Sequence, residues 1–169
     1  LIGKSLKATS IRSLARRKRR MTRPMYETQN DKKNEKIVAR MFVDRFSSSV
    51  TGYCLTPPRY PVDVAFTNGD EVKGFGEIKT RNVDMRTYPT YMISLAKIVD
   101  MKALSYTCGV PCLLIVKWKD HAGYLDVSKV FPSKISIGGR VDRNDKQDVE
   151  PVAHYELSLF KIFSYKEFE

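Results

Sequence analysis

Cysteine is scarce in this chain of 169 residues: three, at positions 54, 108 and 112. An odd count without a CxxC pair excludes a disulfide framework and a zinc knuckle, and it points to a reducing compartment, the cytoplasm. Glycine and proline number 9 and 8, too few for a linker or a collagen-like chain. No uninterrupted apolar run approaches the ~18 residues of a membrane span. Residues 1–24 hold no acidic group at all.

What is present is positive charge, a net +11, which suits a polyanionic partner. It is unevenly spread. Residues 1–24 carry Lys4, Lys7, Arg12, Arg16, Arg17, Lys18, Arg19, Arg20 and Arg23. The remainder, 25–169, has 21 basic against 19 acidic residues and is nearly neutral. The segment 1–24 therefore reads as a disordered basic tail ahead of one domain over 25–169, a length that allows a real core. Four readings of the tail compete: a nucleic-acid arm, a nuclear-localisation patch, a transit peptide, or a foreign stretch ahead of an initiator at Met21. The tail accordingly carries no weight in the functional reading.

The pattern from Asp31 to Phe46 is helical, with Ile37, Val38, Met41, Phe42 and Phe46 on one stripe. Residues 51–55 read as a short strand, and Pro57-Pro58 breaks the chain after it. Tyr60–Thr67 alternates as a strand, Asn68-Gly69-Asp70 turns, and Val72–Thr80 returns. Residues 94–107 read as a second helix ended by Gly109, and 111–118 as a central strand. His121-Ala122-Gly123 reads as a turn into a strand over Tyr124–Val127. Residues 135–163 read as two further strands around a polar loop from Gly138 to Asp148. The fold class is α/β: a mixed sheet flanked by helices, with a C-terminal β extension.

Asp63, Glu77 and Lys79 sit where strands should be apolar, and buried charges are costly unless paired or bound to a metal. Glu77 and Lys79 share a strand face, about 7 Å apart, and Asp63 lies across the hairpin. Two inward carboxylates at that spacing can hold one Mg²⁺. Parity decides whether they face each other. A two-residue turn at Asn68-Gly69 sends Asp63 and Glu77 to opposite faces. An odd loop or one bulge puts Asp63, Glu77 and Lys79 on the same face. Glu35 flanks the buried stripe of the first helix. It is either a further site carboxylate or an ordinary first-turn acid favoured by the helix dipole. Glu27 competes for the same role.

These residues resemble the PD-(D/E)xK nuclease superfamily: a helix with a Glu, an Asp at a strand end, a hairpin, then Glu-x-Lys. The resemblance covers about residues 31–118. It implies an αβββαβ core, Mg²⁺ dependence (with Mn²⁺ as substitute) and phosphodiester hydrolysis, of DNA rather than RNA. It also implies roles: Asp63 and Glu77 as metal ligands, Lys79 as the catalytic lysine and Glu35 as the helix carboxylate. The departure is Pro61-Val62-Asp63, with one residue between Pro and Asp. Arg81, Tyr88, Tyr91 and Lys97 follow the Glu-x-Lys strand and either meet the substrate or simply pack. The segment Gly138–Pro151 suggests a calcium loop but fails the pattern, with Gln147 for Gly and Ala153 for Glu, and reads as a solvated hairpin loop. It resembles loops of small phage-encoded nucleases, which would place the protein in a host cytoplasm. His121 and His154 read as surface groups. The competing class is a noncatalytic nucleic-acid-binding module on the same fold. A homodimer is compatible with the sequence, which does not fix oligomeric state.

Overall fold

The structure is a computed structural model and describes residues 29–57, 60–139 and 149–164. The basic segment 1–24, Glu27 and most of the 138–148 loop lie outside the described residues. The first helix, α1, runs Gln29–Arg45. Asp31 in its first turn and Arg45 in its last complement the helix dipole. Its buried residues Val38, Ala39, Phe42 and Val43 recur at helical spacing. A turn closed by Ser49 and Val50 amides on the Phe46 carbonyl ends it.

Five strands and a second helix follow: β1 (Gly52–Leu55), β2 (Val64–Asn68), β3 (Glu71–Thr80), β4 (Thr90–Ser94), α2 (Leu95–Cys108) and β5 (Cys112–Lys117). Then come β6 (His121–Asp126), β7 (Lys134–Gly139), β8 (Val149–Glu156) and β9 (Lys161–Ser164). A six-stranded sheet has the order β1-β2-β3-β5-β6-β9, and a three-stranded antiparallel sheet has the order β4-β8-β7. Within the large sheet only β3 and β5 pair in parallel; a parallel pair needs a crossover, and β4 with α2 supplies it. Gly109 ends α2 in the left-handed conformation, φ 68°, returning its amide to the Ser105 carbonyl.

The α/β class and the mixed sheet match the reading of the sequence, with differences in detail. Tyr60 is irregular and Pro61, Val62 and Asp63 form a bend, not strand, so β2 begins only at Val64. Pro61 interrupts the ladder there, and Thr56 holds the bend: its amide donates to the Asp63 carbonyl at 3.0 Å and its hydroxyl to the Val62 carbonyl. β6 begins at His121, because the reversal falls one turn earlier, closed by the Trp118 amide on the His121 carbonyl at 2.8 Å. β4 and β9 are absent from the sequence reading. Both are short and lie next to a helix or a 3₁₀ turn, where a period of two has no room to show.

Each face of the large sheet has its own cover. Val64, Phe66, Ile78, Leu113 and Ile115 pack beneath α1. Phe75, Leu114, Val116 and Leu125 face the other way, beneath Ile98 and Met101 of α2 and Tyr91, Ile93, Ala153 and Tyr155 of the small sheet. Gly76 is required on the α1 side: a Cβ there would stand 2.9 Å from both Phe66 and Val64 side chains.

Candidate active site

The parity question has a definite outcome. The turn is a two-residue one, Gly69-Asp70, with Asn68 opposite Glu71 and Gly69 at φ 58°. A bulge then intervenes: Thr67 pairs with Val72 but Phe66 pairs with Gly74, so Lys73 is the extra residue. That insertion shifts every later pairing by one. Ile78 faces α1, and Glu77 and Lys79 face α2.

Asp63 reaches the same side from the bend before β2. Its backbone amide donates to the Gly76 carbonyl at 2.9 Å. Its Oδ2 accepts from the Ile78 amide at 2.8 Å, taking the place a strand carbonyl would hold. Glu77 is fully buried. Its Oε2 accepts from Lys97 Nζ of α2 at 3.1 Å, and Lys97 also donates to the Pro61 carbonyl at 3.3 Å. Lys79 Nζ stands 2.6 Å from Glu77 Oε1 and 3.8 Å from Asp63 Oδ2. One ammonium thus already lies between the two carboxylates. The Lys79–Glu77 contact is a close, charged one, buried on the Glu77 side.

The cluster is two acids and two lysines, balanced in charge and partly desolvated. Burial, and then the Glu77 charge, push the Asp63 carboxyl above the usual carboxylate range, against the pull of Lys79 and Lys97. For Lys79, burial works to lower the ammonium, but Glu77 and Asp63 outweigh it and raise it above the ordinary lysine value. Lys79 is therefore a fixed cation at neutral pH.

The residues present fit a divalent cation. Two carboxylates, one fully buried and one partly so, converge on one position that a single cationic group now fills. Among the described residues no group of three or more His, Cys, Asp or Glu forms a metal cluster. Two protein carboxylates suit Mg²⁺, which keeps several waters.

The structure does not gather every sequence candidate. Glu35 is half-buried on α1, the helix that covers the opposite face of the sheet, and joins no three-acid metal cluster. Lys97 is held by Glu77 and Pro61, so it belongs to the cluster itself. Tyr91 is a core residue, its ring edge-on to Trp118 at 6.0 Å and packed with Phe160. Burial raises its phenol, more than Arg81 and Lys79 lower it. Arg81 is exposed, with its guanidinium 5.2 Å from the Tyr91 ring centre. His154 is no surface group: Thr90 Oγ1 lies 3.0 Å from Nδ1 and Ser136 Oγ 2.8 Å from Nε2. His121 pairs with Asp120 at 2.9 Å. The Lys97–Glu77 pairing had no signal in the sequence, since the two residues are twenty apart and on different elements.

Among the described residues no helix is long and apolar enough to cross a membrane. No curated protein sequence matches the chain. The Holliday junction resolvase Hjc of the archaeal hyperthermophile Archaeoglobus fulgidus is similar in structure, with 12% identity and a TM-score of 0.48 over 80% of this chain and 93% of that one. That level of likeness says nothing about activity. A family model described as "Phage putative PDDEXK endonuclease" matches residues 21–163. The match spans both helices, the bulged hairpin and the Asp63–Glu77–Lys79 cluster, and the chain belongs to that family of phage PD-(D/E)xK nucleases.

Proposed function

We propose that the protein is a Mg²⁺-dependent deoxyribonuclease, with Mn²⁺ able to substitute, acting in the cytoplasm of a phage host. The observation that carries the reading is the convergence of Asp63 and Glu77 on one ammonium, with Glu77 fully buried. Asp63 and Glu77 would hold the ion. When bound, Mg²⁺ supplies Lewis-acid polarisation of the phosphate and acidification of water.

The chain's own residues do the rest. Asp63 is positioned by two backbone contacts, its amide on Gly76 and its Oδ2 on the Ile78 amide, so the carboxylate needs little reorganisation. Lys97 pairs with Glu77 from the α2 side at 3.1 Å and balances its charge in a buried place. Lys79, about a third exposed, faces the open side of the cluster. Its ammonium orients the attacking water and offsets charge that develops on the phosphate. Glu35, half-buried on α1, joins no three-acid group with Asp63 and Glu77 among the described residues, and its role is that of the helix carboxylate the family resemblance implies. DNA is the substrate favoured by the family resemblance.

The test is a cleavage assay on plasmid and branched DNA with and without Mg²⁺, comparing wild type with Asp63→Asn. Cleavage that needs both the metal and Asp63 is expected. A wild type that binds DNA in a salt-sensitive way but never cuts it, with Mg²⁺ or Mn²⁺, leaves a binding module instead.

A further inference from the structure

Past the end of β3 lies a pocket of about 540 Å³ that contains none of the four cluster residues. It begins at Arg81, two residues beyond Lys79. The Arg81 amide continues the strand's pairing by donating to the Lys117 carbonyl at 2.8 Å, so Arg81 follows Lys79 on the same side of the chain. Three aromatic residues line the pocket. Tyr88 is 63% exposed, whereas Tyr91 and Trp118 are 4% and 3% exposed. Polar groups converge among them: Asn82, Thr90 and His154, with the His154 ring fixed between two hydroxyls. The Tyr91 side chain is buried, with the Arg81 guanidinium 5.2 Å from its ring centre.

The matching ligand is flat, with a π-face to lie against the exposed Tyr88 ring and polar atoms around its rim. Beside a site that cuts a polynucleotide, a nucleobase has that chemistry, and the exposed Arg81 suits the phosphate that follows it. A base stacked and paired within a duplex cannot lay its face against a side chain in such a pocket; an unpaired one can, without the cost of breaking a pair. We infer that this pocket receives one unpaired nucleobase of the strand being cut. The inference rests on the nuclease reading above and gives it a substrate class: DNA with an unpaired base, as in single strands, bulges or branch points.

Trp118 is the chain's one tryptophan, so its emission reports on the pocket alone. The experiment titrates the full chain in metal-free buffer with four probes. These are a hairpin-capped duplex bearing a one-base bulge, the same duplex with an abasic bulge, a fully paired one, and dTMP. A saturable change in emission is expected with the bulged duplex. Affinity should fall about tenfold with the abasic bulge, and no change should follow with the paired duplex. Tyr88→Ala should weaken the bulge response by about tenfold, and Tyr106→Ala, on the exposed side of α2, should not. Equal responses to paired, abasic and bulged duplexes overturn the inference, as does saturation by dTMP at the concentration that the bulged duplex needs. Asp63→Asn should keep the emission change and lose cleavage. Cleavage by the wild type without an emission change retires the pocket alone; an emission change without cleavage retires the nuclease reading and leaves the pocket.

Discussion

The two faces of the large sheet are built from alternate residues of the same strands, yet they do different work. Beneath α1 the face is dry: Val64, Phe66, Ile78, Leu113 and Ile115 meet Val38, Ala39, Phe42 and Val43, with Phe42 and Phe66 ring centres 4.6 Å apart. Beneath α2 the same β3 contributes Glu77 and Lys79, set among Phe75, Ile98, Leu114 and Val116. One face gains from every methylene it hides, while the other desolvates charge and must balance it with Lys79 and Lys97. A single backbone thus carries stability and reactivity on opposite sides. Substitutions one residue apart should consequently separate folding from catalysis.

The largest expected effect is on the charged face. Asp63→Asn should cut Mg²⁺-dependent cleavage by roughly a thousandfold, about 4 kcal/mol, since an amide offers no charge to the cation. Lys79→Ala should fall nearly as far. Circular dichroism should show both variants folded, and unfolding of either would undo the division of labour between the faces. On the dry face, Ile78→Ala should cost about 2–5 kcal/mol in urea unfolding because it opens a cavity under α1. Its activity per folded molecule should stay near wild type. A dead but stable Ile78→Ala would mean that the backbone amide of residue 78 loses its grip on Asp63.

Two intermediate effects sharpen the contrast. Gly76→Ala should destabilise by about 1–3 kcal/mol, since its Cβ meets Phe66 and Val64 at 2.9 Å. Glu77→Ala, which strands two lysines, breaks a buried pairing normally worth roughly 3–5 kcal/mol, but both lysines are about a third exposed, so about 2 kcal/mol is expected. The smallest effect has the opposite sign. The Asp63 carboxyl is raised in the fold, so it binds protons more tightly folded than unfolded. Its ionisation therefore costs stability as pH rises through the ordinary aspartate range and above. Asp63→Asn should melt a few degrees higher than wild type at pH 7, with the gain shrinking below the ordinary aspartate pKa. A lower melting temperature at pH 7 would show that the Asp63 charge is stabilising.

Much of this was legible in the residues. The apolar stripe of α1, the turn at Gly69, the closing Gly109 and the apolar run of β5 are local patterns whose spacing matches the period of the element they form. Asp63, Glu77 and Lys79 stood out because charge in a strand's buried positions is a visible contradiction. Three features were decided elsewhere. The face that Asp63 shares with Glu77 depends on one extra residue, Lys73, and a bulge is a property of pairing between strands, with no signature in either. Glu35 carried the right chemistry on a helix, but which side of the sheet that helix covers follows from packing. Lys97 closes on Glu77, and Arg81 and Trp118 meet in one pocket, only because the crossover returns the chain over the sheet. The sequence determined the elements and the candidate charges, since both are set by neighbours a few residues apart. Which charges meet, and on which face, was left to tertiary structure, because those contacts span sequence distances over which no local period survives.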